Sequence, residues 1–460
     1  MSSPGLAELH LHLYGCLTSD HVLDMLALAE RPAWDRYEPS YERVFGRPSP
    51  ARALVERHRR GDASARAEFR ELFVFGEADA GSFARFQAKF DLIAAASVIG
   101  LAVHEEEHRA AALAELRQSA RVVLDDQRRH GVGYAEQRFF FGHRTPAEFV
   151  DEGLRAILEV YAEHHARGGR PIARLAASLP RSNPWHHWEV VQRLALSDLG
   201  VALTGVDFCF IEEGHPPKEQ RALFSAVRDH NARNPERALS ILYHVGESFE
   251  DKSLESAVRW VHEAAELGAH RLGHAIALGV DPAAYGEVRR ESVAERRDQV
   301  LYDLRHAEGL ERHGVRVDRP ALARELDELD ALDRLDALGR RAPPDEVQVV
   351  YDDRRRAEVH ARQRFAMAAV RAHGAVVEVC PTSNLRIGGL RDPSHHPLRR
   401  FLEEQVPVVI ASDDPGIFGT TLRDELAWAA AHAGLSAEEH DALAAGAWRY
   451  RSERLTGRDR

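Results

Sequence analysis

The feature that most constrains the fold is a regular alternation of short apolar segments with longer stretches of helical pattern. Eight apolar segments recur, at residues 6–13, 133–140, 172–178, 201–208, 239–244, 270–274, 374–380 and 406–411. Strands separated by helices are typical of βαβ units and of a parallel sheet. Eight such units favour a closed (β/α)8 barrel of the TIM type over an open sheet. We therefore predict an α/β protein built on that barrel.

Two segments interrupt the alternation. Residues 18–131 are largely helical by pattern, which predicts an N-terminal helical segment between the first two strands. After the sixth predicted strand, the chain runs as far as residue 374 without a clear strand. We predict a helical insertion here, at about residues 281–363, within a single barrel that spans residues 1–460.

The best local helix signals lie inside this insertion, at residues 320–338. Pro320 suits a first helical turn, and Gly339 suits a C-terminal cap. A leucine stripe along the helix consists of Leu322, Leu326, Leu329, Leu332, Leu335 and Leu338. Three roles remain open for this stripe: packing on a neighbouring part of the insertion, an oligomer contact, or a lid over the active site.

Composition narrows the range of partners. The formal net charge of −12 disfavours loose binding to nucleic acid. No apolar run reaches the roughly 18 residues that a membrane helix requires. The three cysteines are far apart, which argues against a disulfide framework and for a reducing compartment. The N-terminus also lacks the pattern of a signal peptide. We therefore expect a cytoplasmic protein with no membrane partner and no nucleic-acid partner.

Titratable side chains gather at the predicted carboxyl ends of four strands, where barrel enzymes place their sites. His10 and His12 lie two residues apart on the first strand, so both rings face the same side of it. The others follow the fifth, sixth and eighth strands, and are His244, Glu247, His274, Asp413 and Asp414. Three imidazoles and a carboxylate are ligands that suit zinc. The alternative for any one residue is a hydrogen-bonded core histidine or a helix-capping aspartate.

The motifs around these residues carry a resemblance. The most specific are Ser412-Asp413-Asp414-Pro415, continued by Gly-Ile-Phe-Gly-Thr-Thr-Leu, and the segment Glu-Val-Cys-Pro-Thr-Ser-Asn at residues 378–384. The other segments are residues 9–13, 243–247 and 272–275. Together they resemble, in order, the signatures of the adenosine deaminase family, which belongs to the amidohydrolase superfamily of metal-dependent barrels.

The resemblance implies roles for the residues. Related barrels with two metals carry a carboxylated lysine at the end of strand four; here no lysine lies between that strand and Lys218, which favours one Zn²⁺ per chain. Glu247 would donate a proton to a purine ring nitrogen, and His274 would orient the attacking water and assist its deprotonation. Asp414 would contact the nitrogen on the imidazole side of the purine. The implied metal ligands are His10, His12, His244 and Asp413.

The chain departs from the family pattern in the substrate site. The family usually reads His-Leu-Asp-Gly, whereas this chain reads His12-Leu13-Tyr14-Gly15. Tyr14 therefore stands where an aspartate would meet the sugar 5′-hydroxyl, and we expect unmodified adenosine to be a poor substrate. Phe210 falls near a family glycine whose backbone approaches the base. The predicted substrate-binding residues are Tyr14, Gly15, Phe210 and Asp414.

These observations predict a zinc-dependent aminohydrolase. It would convert an adenine-containing nucleoside, nucleotide or modified aminopurine to the 6-oxopurine and ammonia. One alternative is an amidohydrolase that acts on another C–N bond, which would require neither Asp414 nor a protonated Glu247. The other is a catalytically inactive paralogue with an assembly role. We expect a small-molecule partner and a homo-oligomer contact through the insertion.

Overall fold

Eight parallel strands form the centre of the molecule in the computed structural model, which describes residues 5–103, 105–337, 346–388, 390 and 392–459. The barrel strands are β1 (Leu6–His12), β2 (Val132–Phe140), β3 (Ile172–Ser178), β4 (Leu203–Asp207), β5 (Ser240–Val245), β6 (Arg271–His274), β9 (Val376–Val379) and β10 (Val408–Ile410), with β7 (Val288–Ser292) and β8 (Glu346–Val350) between β6 and β9. Each predicted strand is present, with bounds that shift by about two residues. The strands of the barrel are buried along nearly their whole length, as parallel strands covered by helices are.

The sheet follows the order β1-β2-β3-β4-β5-β6-β9-β10 and closes between its first and last strands. Leu11 on β1 forms a parallel bridge with Asp413, just after β10. The Asp413 N–H donates to the His10 carbonyl at 3.0 Å, and the His12 N–H donates to the Asp413 carbonyl at 3.0 Å. The predicted (β/α)8 barrel is thus confirmed.

Helices surround the barrel and fill the segment between β1 and β2, where α1 to α7 form the predicted N-terminal helical segment. Within the described ranges, no helix is both long enough and apolar enough to cross a membrane. The helices are α1 (Ser19–Leu28), α2 (Trp34–Phe45), α3 (Ala51–Arg59), α4 (Ser64–Phe73), α5 (Phe83–Ala96), α6 (Ile99–Ala102), α7 (Arg109–Arg129), α8 (Ala147–Ala166), α9 (Trp185–Ala195), α10 (Arg221–Arg233), α11 (Leu254–Leu267), α12 (Val293–Arg305), α13 (Ala307–Arg312), α14 (Arg319–Ala337), α15 (Asp353–Ala372), α16 (Pro381–Arg386), α17 (Leu398–Glu403), α18 (Pro415–Phe418), α19 (Leu422–His432), α20 (Ala437–Gly446) and α21 (Ser452–Leu455).

The segment between β6 and β9 is not purely helical. Strands β7 and β8 pair antiparallel, so the expectation of an insertion without strands is wrong. Both strands are five residues long and partly exposed, so each gives only a weak periodic signal. They are also far apart in sequence, which hides their pairing. Helix α15 packs on α11, and the Gln363 amide donates to the carbonyls of Ala277 and Val280, at 3.0 and 2.8 Å. The predicted end of the insertion, residue 363, therefore falls inside a helix that packs on the barrel.

The leucine stripe lies on α14, close to its predicted position. Leu322, Leu326 and Leu329 pack in one apolar cluster with Val293 and Val300 of α12. This part of the stripe therefore contacts a neighbouring helix of the insertion. The side chains of Leu332 and Leu335, and all of Leu338 and Gly339, lie outside the described residues, and a homo-oligomer contact through this segment stays a prediction.

Strand β7 attaches the insertion to the loop between β5 and α11. Arg289 donates through Nε to the Lys252 carbonyl at 2.9 Å, and it also donates to the Phe249 carbonyl. The Glu291 carboxylate accepts from the Ser253 N–H at 3.2 Å and from the Ser256 hydroxyl at 2.8 Å. The insertion is therefore bonded to the loop that contains Glu247.

Candidate active site

Four predicted ligands meet at the carboxyl end of the barrel. Asp413 Oδ1 lies 3.3 Å from His10 Nε2 and 3.2 Å from His12 Nε2. The Nε2 atoms of His12 and His244 are 3.3 Å apart. All four donor atoms lie within 4.8 Å of one another. Strands β1 and β5 and the turn after β10 thus bring the predicted ligand set together as one candidate metal site.

The surroundings of His10 and His244 fit metal binding. His10 Nδ1 lies 2.9 Å from Glu378 Oε2, and His244 Nδ1 lies 3.1 Å from Asp207 Oδ1. Glu378 is placed to accept from His10 Nδ1–H, which leaves His10 Nε2 free as a ligand, whereas Asp207 lies beside His244 as an ion-pair contact. Burial lowers the pKa of His244 to about 3, so its ring is neutral at physiological pH. Among the described residues, the buried His10 Nε2 has no hydrogen-bond partner. The donor set therefore fits a divalent ion such as Zn²⁺.

A buried charge network supports these imidazoles from below. Arg138 donates to Glu378 at 2.7 and 2.5 Å, and Arg271 Nε donates to Glu378 Oε1 at 2.7 Å. Arg271 also donates to Glu136 at 2.5 Å. Burial of such charges is tolerable only when each is paired. Asp207, Glu378 and Arg138 were not predicted as supporting residues, although a charged residue inside an apolar strand is a signal for such a role.

Glu247 and His274 stand beside the metal site. His274 Nε2 lies 3.4 Å from Glu247 Oε2, and the Asn384 amide lies 3.0 Å from His274 Nδ1. The Glu212 carboxylate accepts from the Glu247 N–H at 3.2 Å and fixes the turn after β5. Burial, and next the charge of Asp413, raise the pKa of Glu247 well above its ordinary value. Both influences favour the protonated form of the Glu247 carboxyl group.

Asp414 is buried beside Gly15. Asp414 Oδ1 has no hydrogen-bond partner in the part of the chain that the structure describes. Burial, and next the charge of Asp413, raise the pKa of Asp414 well above its ordinary value. A Cβ atom at Gly15 would lie 1.6 Å from Asp414 Oδ1, so only glycine leaves room for this carboxyl group. The structure thus gives Gly15 a space-making role next to Asp414.

Several backbone positions at the site are strained. The φ angles are 64° at His274 and 60° at Asp413, in the left-handed region. Phe210 lies in the same region, with φ of 72°. A residue other than glycine costs roughly 1–2 kcal/mol in this conformation. Such strain persists where the surrounding structure enforces it and is frequent at functional sites.

These groups face a cavity of about 520 Å³ at the carboxyl end of the barrel. Tyr14 and Phe210, both predicted to bind substrate, contribute to its wall. The Tyr14 hydroxyl, however, donates to Glu115 Oε1 at 2.5 Å. That hydroxyl is therefore already bonded to a partly buried carboxylate in this arrangement, and the role of Tyr14 in binding substrate stays a prediction. Only the ring of Tyr14 is available to the cavity.

The fold and the site define a (β/α)8 barrel with a candidate metal centre at the carboxyl ends of its strands. Residues 347–451 match the family model described as adenosine deaminase. This segment includes Asp413 and Asp414, so the resemblance to the adenosine deaminase family is confirmed in the C-terminal part of the barrel.

Individual relatives are similar over short segments. The chain is 45% identical over 64 residues to an aminodeoxyfutalosine deaminase of Acidothermus cellulolyticus, a match that covers 14% of this chain and 18% of that protein. It is 49% identical over 70 residues to an adenine deaminase of Rhizobium leguminosarum, covering 15% and 22%. The chain thus matches about a fifth of the length of these curated relatives.

The similarity in structure extends over the whole chain. The crystal structure of an adenine deaminase from Arthrobacter aurescens superposes with a TM-score of 0.51 and 18% sequence identity. The superposition covers 99% of this chain and 98% of that one. At this identity the superposition shows that the two proteins share the barrel fold.

Proposed function

We propose that this protein is a zinc-dependent aminohydrolase that converts an aminopurine to the 6-oxopurine and ammonia. The observation that carries the proposal is one cavity lined by Glu247, by the unpaired carboxyl group of Asp414 and by three members of the donor set, with the fourth donor, His10, buried against Asp413. The names of the relatives support a purine as the substrate, since an adenine deaminase and an aminodeoxyfutalosine deaminase match segments of this chain.

The four donors His10, His12, His244 and Asp413 would hold one Zn²⁺ per chain. Zinc bound in this way lowers the pKa of a water molecule towards neutrality and so supplies a nucleophile at physiological pH. Three imidazoles and a carboxylate match the ligand types of zinc in proteins. The neutral ring of His244 and the free Nε2 of His10 are the forms that bind a metal.

Three side chains around the donors would each have a separate role in the reaction. Glu247, held in its acid form, donates to the ring nitrogen next to the amino-bearing carbon and so cancels negative charge as water adds there. His274 lies 3.4 Å from Glu247 and orients the attacking water. Asp414 forms a hydrogen bond with the nitrogen on the imidazole side of the purine and so holds the purine ring in position. Water adds, the C–N bond breaks, and ammonia leaves with the 6-oxopurine as the other product.

The test is a panel of aminopurines assayed by ammonia release, beside elemental analysis of the same preparation. We expect ammonia from at least one adenine derivative and about one zinc per chain. Simple amides serve as the comparison, because they require neither Glu247 nor Asp414. Turnover of amides without turnover of any aminopurine, or an active preparation without metal, would contradict the proposal.

A further inference from the structure

The mouth of the active-site cavity is unusually apolar for an exposed surface. Phe83, Phe210 and Ile211 are 46%, 47% and 44% exposed, and all three line this cavity. Phe86, Phe90 and Phe140 continue the same wall inward. Large apolar side chains that gather in the open around a cavity mark a surface that binds an apolar group.

The charges around this cavity disfavour an anion. Among the described residues that line it, Arg138 is the one Lys or Arg side chain, and it is already bonded to Glu378. Glu213 and Glu250 are also part of the lining, in addition to the carboxylates of the catalytic end. A phosphate or carboxylate on the substrate would meet negative charge without a free cation to bind it.

A neighbouring cavity does not supply that cation. It has a volume of about 570 Å³ and shares a wall with the first, formed by Tyr14, Phe90, Phe139 and Phe140. Two arginines line this second cavity, but three acidic residues accompany them. These charged residues are Arg31, Arg36, Asp35, Asp91 and Glu105. The second cavity thus has no excess of positive charge to attract an extended anionic substrate.

Phe210 occupies the mouth at a conformational cost. Its φ of 72° lies in the region that favours glycine, and the adenosine deaminase pattern resembled here has a glycine near this position. Its ring centroid lies 5.7 Å from that of Phe140 and 5.1 Å from that of His143. Backbone strain is frequent at functional sites, so a strained residue with a half-exposed aromatic ring at a cavity mouth is a candidate for contact with a ligand.

We infer that the site takes an aminopurine with an uncharged, apolar substituent, and that Phe210 determines this specificity. The inference rests on the proposed function, because the amino-bearing carbon must lie at the donor set in the depth of the cavity. A substituent on the opposite side of the purine then extends towards Phe83, Phe210 and Ile211. Nucleotides would be excluded by charge.

The test compares kcat/KM of zinc-loaded protein for four probes: adenosine, adenosine 5′-monophosphate, 5′-deoxy-5′-methylthioadenosine, and a 5′-thioether of adenosine that ends in a carboxylate. We expect the methylthio compound to exceed adenosine by about tenfold or more, since one added apolar group in a hydrophobic pocket is worth about 10–200-fold. Both anionic compounds should fall below adenosine. A higher kcat/KM for either anionic compound would overturn the inference.

Variants separate specificity from packing. Phe210→Gly removes the ring and the strain together, so the preference for the methylthio compound should fall by about tenfold while Tm does not decrease. Phe210→Ala should lose the same preference. Leu196→Ala is the control, since Leu196 is 54% exposed at the end of α9 and outside the cavity lining, and it should keep the wild-type preference. A Phe210→Gly variant with the wild-type ranking would overturn the inference. No ammonia from any probe or other aminopurine would instead overturn the proposed function, and the inference with it.

Discussion

At the scale of single residues, substitution of Glu247 tests the proposed chemistry without removing a predicted metal ligand. Glu247→Gln keeps the size of the side chain but removes the acidic proton that the proposed mechanism requires. We expect kcat to fall by about 10²–10⁴-fold, the usual contribution of a positioned acid. Zinc content and Tm should stay close to those of wild type. A variant with nearly normal turnover on the best substrate would remove Glu247 from the mechanism.

Tyr14 gives a second prediction at this scale. Its hydroxyl, the Ser97 hydroxyl and the Val98 N–H all bond to Glu115. Tyr14→Phe should therefore lower the free energy of unfolding by about 1 kcal/mol, because the partly buried Glu115 carboxylate loses one of its donors. The ranking of substrates by kcat/KM should not change, since the ring that lines the cavity remains. Denaturant unfolding and the probe panel measure the two effects, and a changed ranking would show that the hydroxyl does read the substrate.

At the scale of elements, the contact between β7 and the loop from β5 to α11 gives a prediction about the position of Glu247. Arg289→Ala removes the donors to the carbonyls of Phe249 and Lys252, next to the catalytic turn that holds Glu247. We expect kcat/KM to fall by about tenfold at unchanged zinc content, because small displacements of catalytic groups are costly. Arg290→Ala is the matched control: it is the adjacent arginine, 63% exposed, with an ion pair to Glu346 at 3.5 Å. Equal losses in the two variants would show that the insertion does not position the loop.

At the scale of the whole molecule, the candidate metal site spans the closure of the barrel. His10 and His12 belong to the first strand and Asp413 follows the last, and the backbone of the two segments is bonded there. A bound ion would therefore join the two ends of the sheet. Metal at about 100 times its Kd stabilises a folded protein by about 2.7 kcal/mol. Chelation should accordingly lower the Tm of this 460-residue chain by about 3 °C.

Two variants control this prediction. His12→Ala removes the most exposed ligand of the set, 19% exposed, and should abolish the response of Tm to chelation. His432→Ala, an exposed histidine on α19, should keep the wild-type response. Loss of the response in both variants, or its persistence in His12→Ala, would show that the ion binds elsewhere.

The sequence by itself determined the strands and the types of residue at their ends. Apolar periodicity is a local property, so the eight strands and the helix at α14 were predictable within a few residues. The gathering of His10, His12, His244 and Asp413 at one end of the barrel was predictable because barrel sites lie at the carboxyl ends of strands. The pair β7–β8 was not, since each strand is short and its partner is distant in sequence.

Only the tertiary structure decided which side chains meet. Glu378 supports His10 across 368 positions of sequence, and Glu115 engages Tyr14 across 101. No local pattern encodes such pairs, because they depend on how the barrel closes and where the helical segment packs. The sequence thus identifies Tyr14 as a departure from the family pattern, but it does not identify Glu115 as the residue that accepts from the Tyr14 hydroxyl. The physical reason is that a residue's type follows from the chain, whereas its hydrogen-bond partner follows from the packing of elements far apart along it.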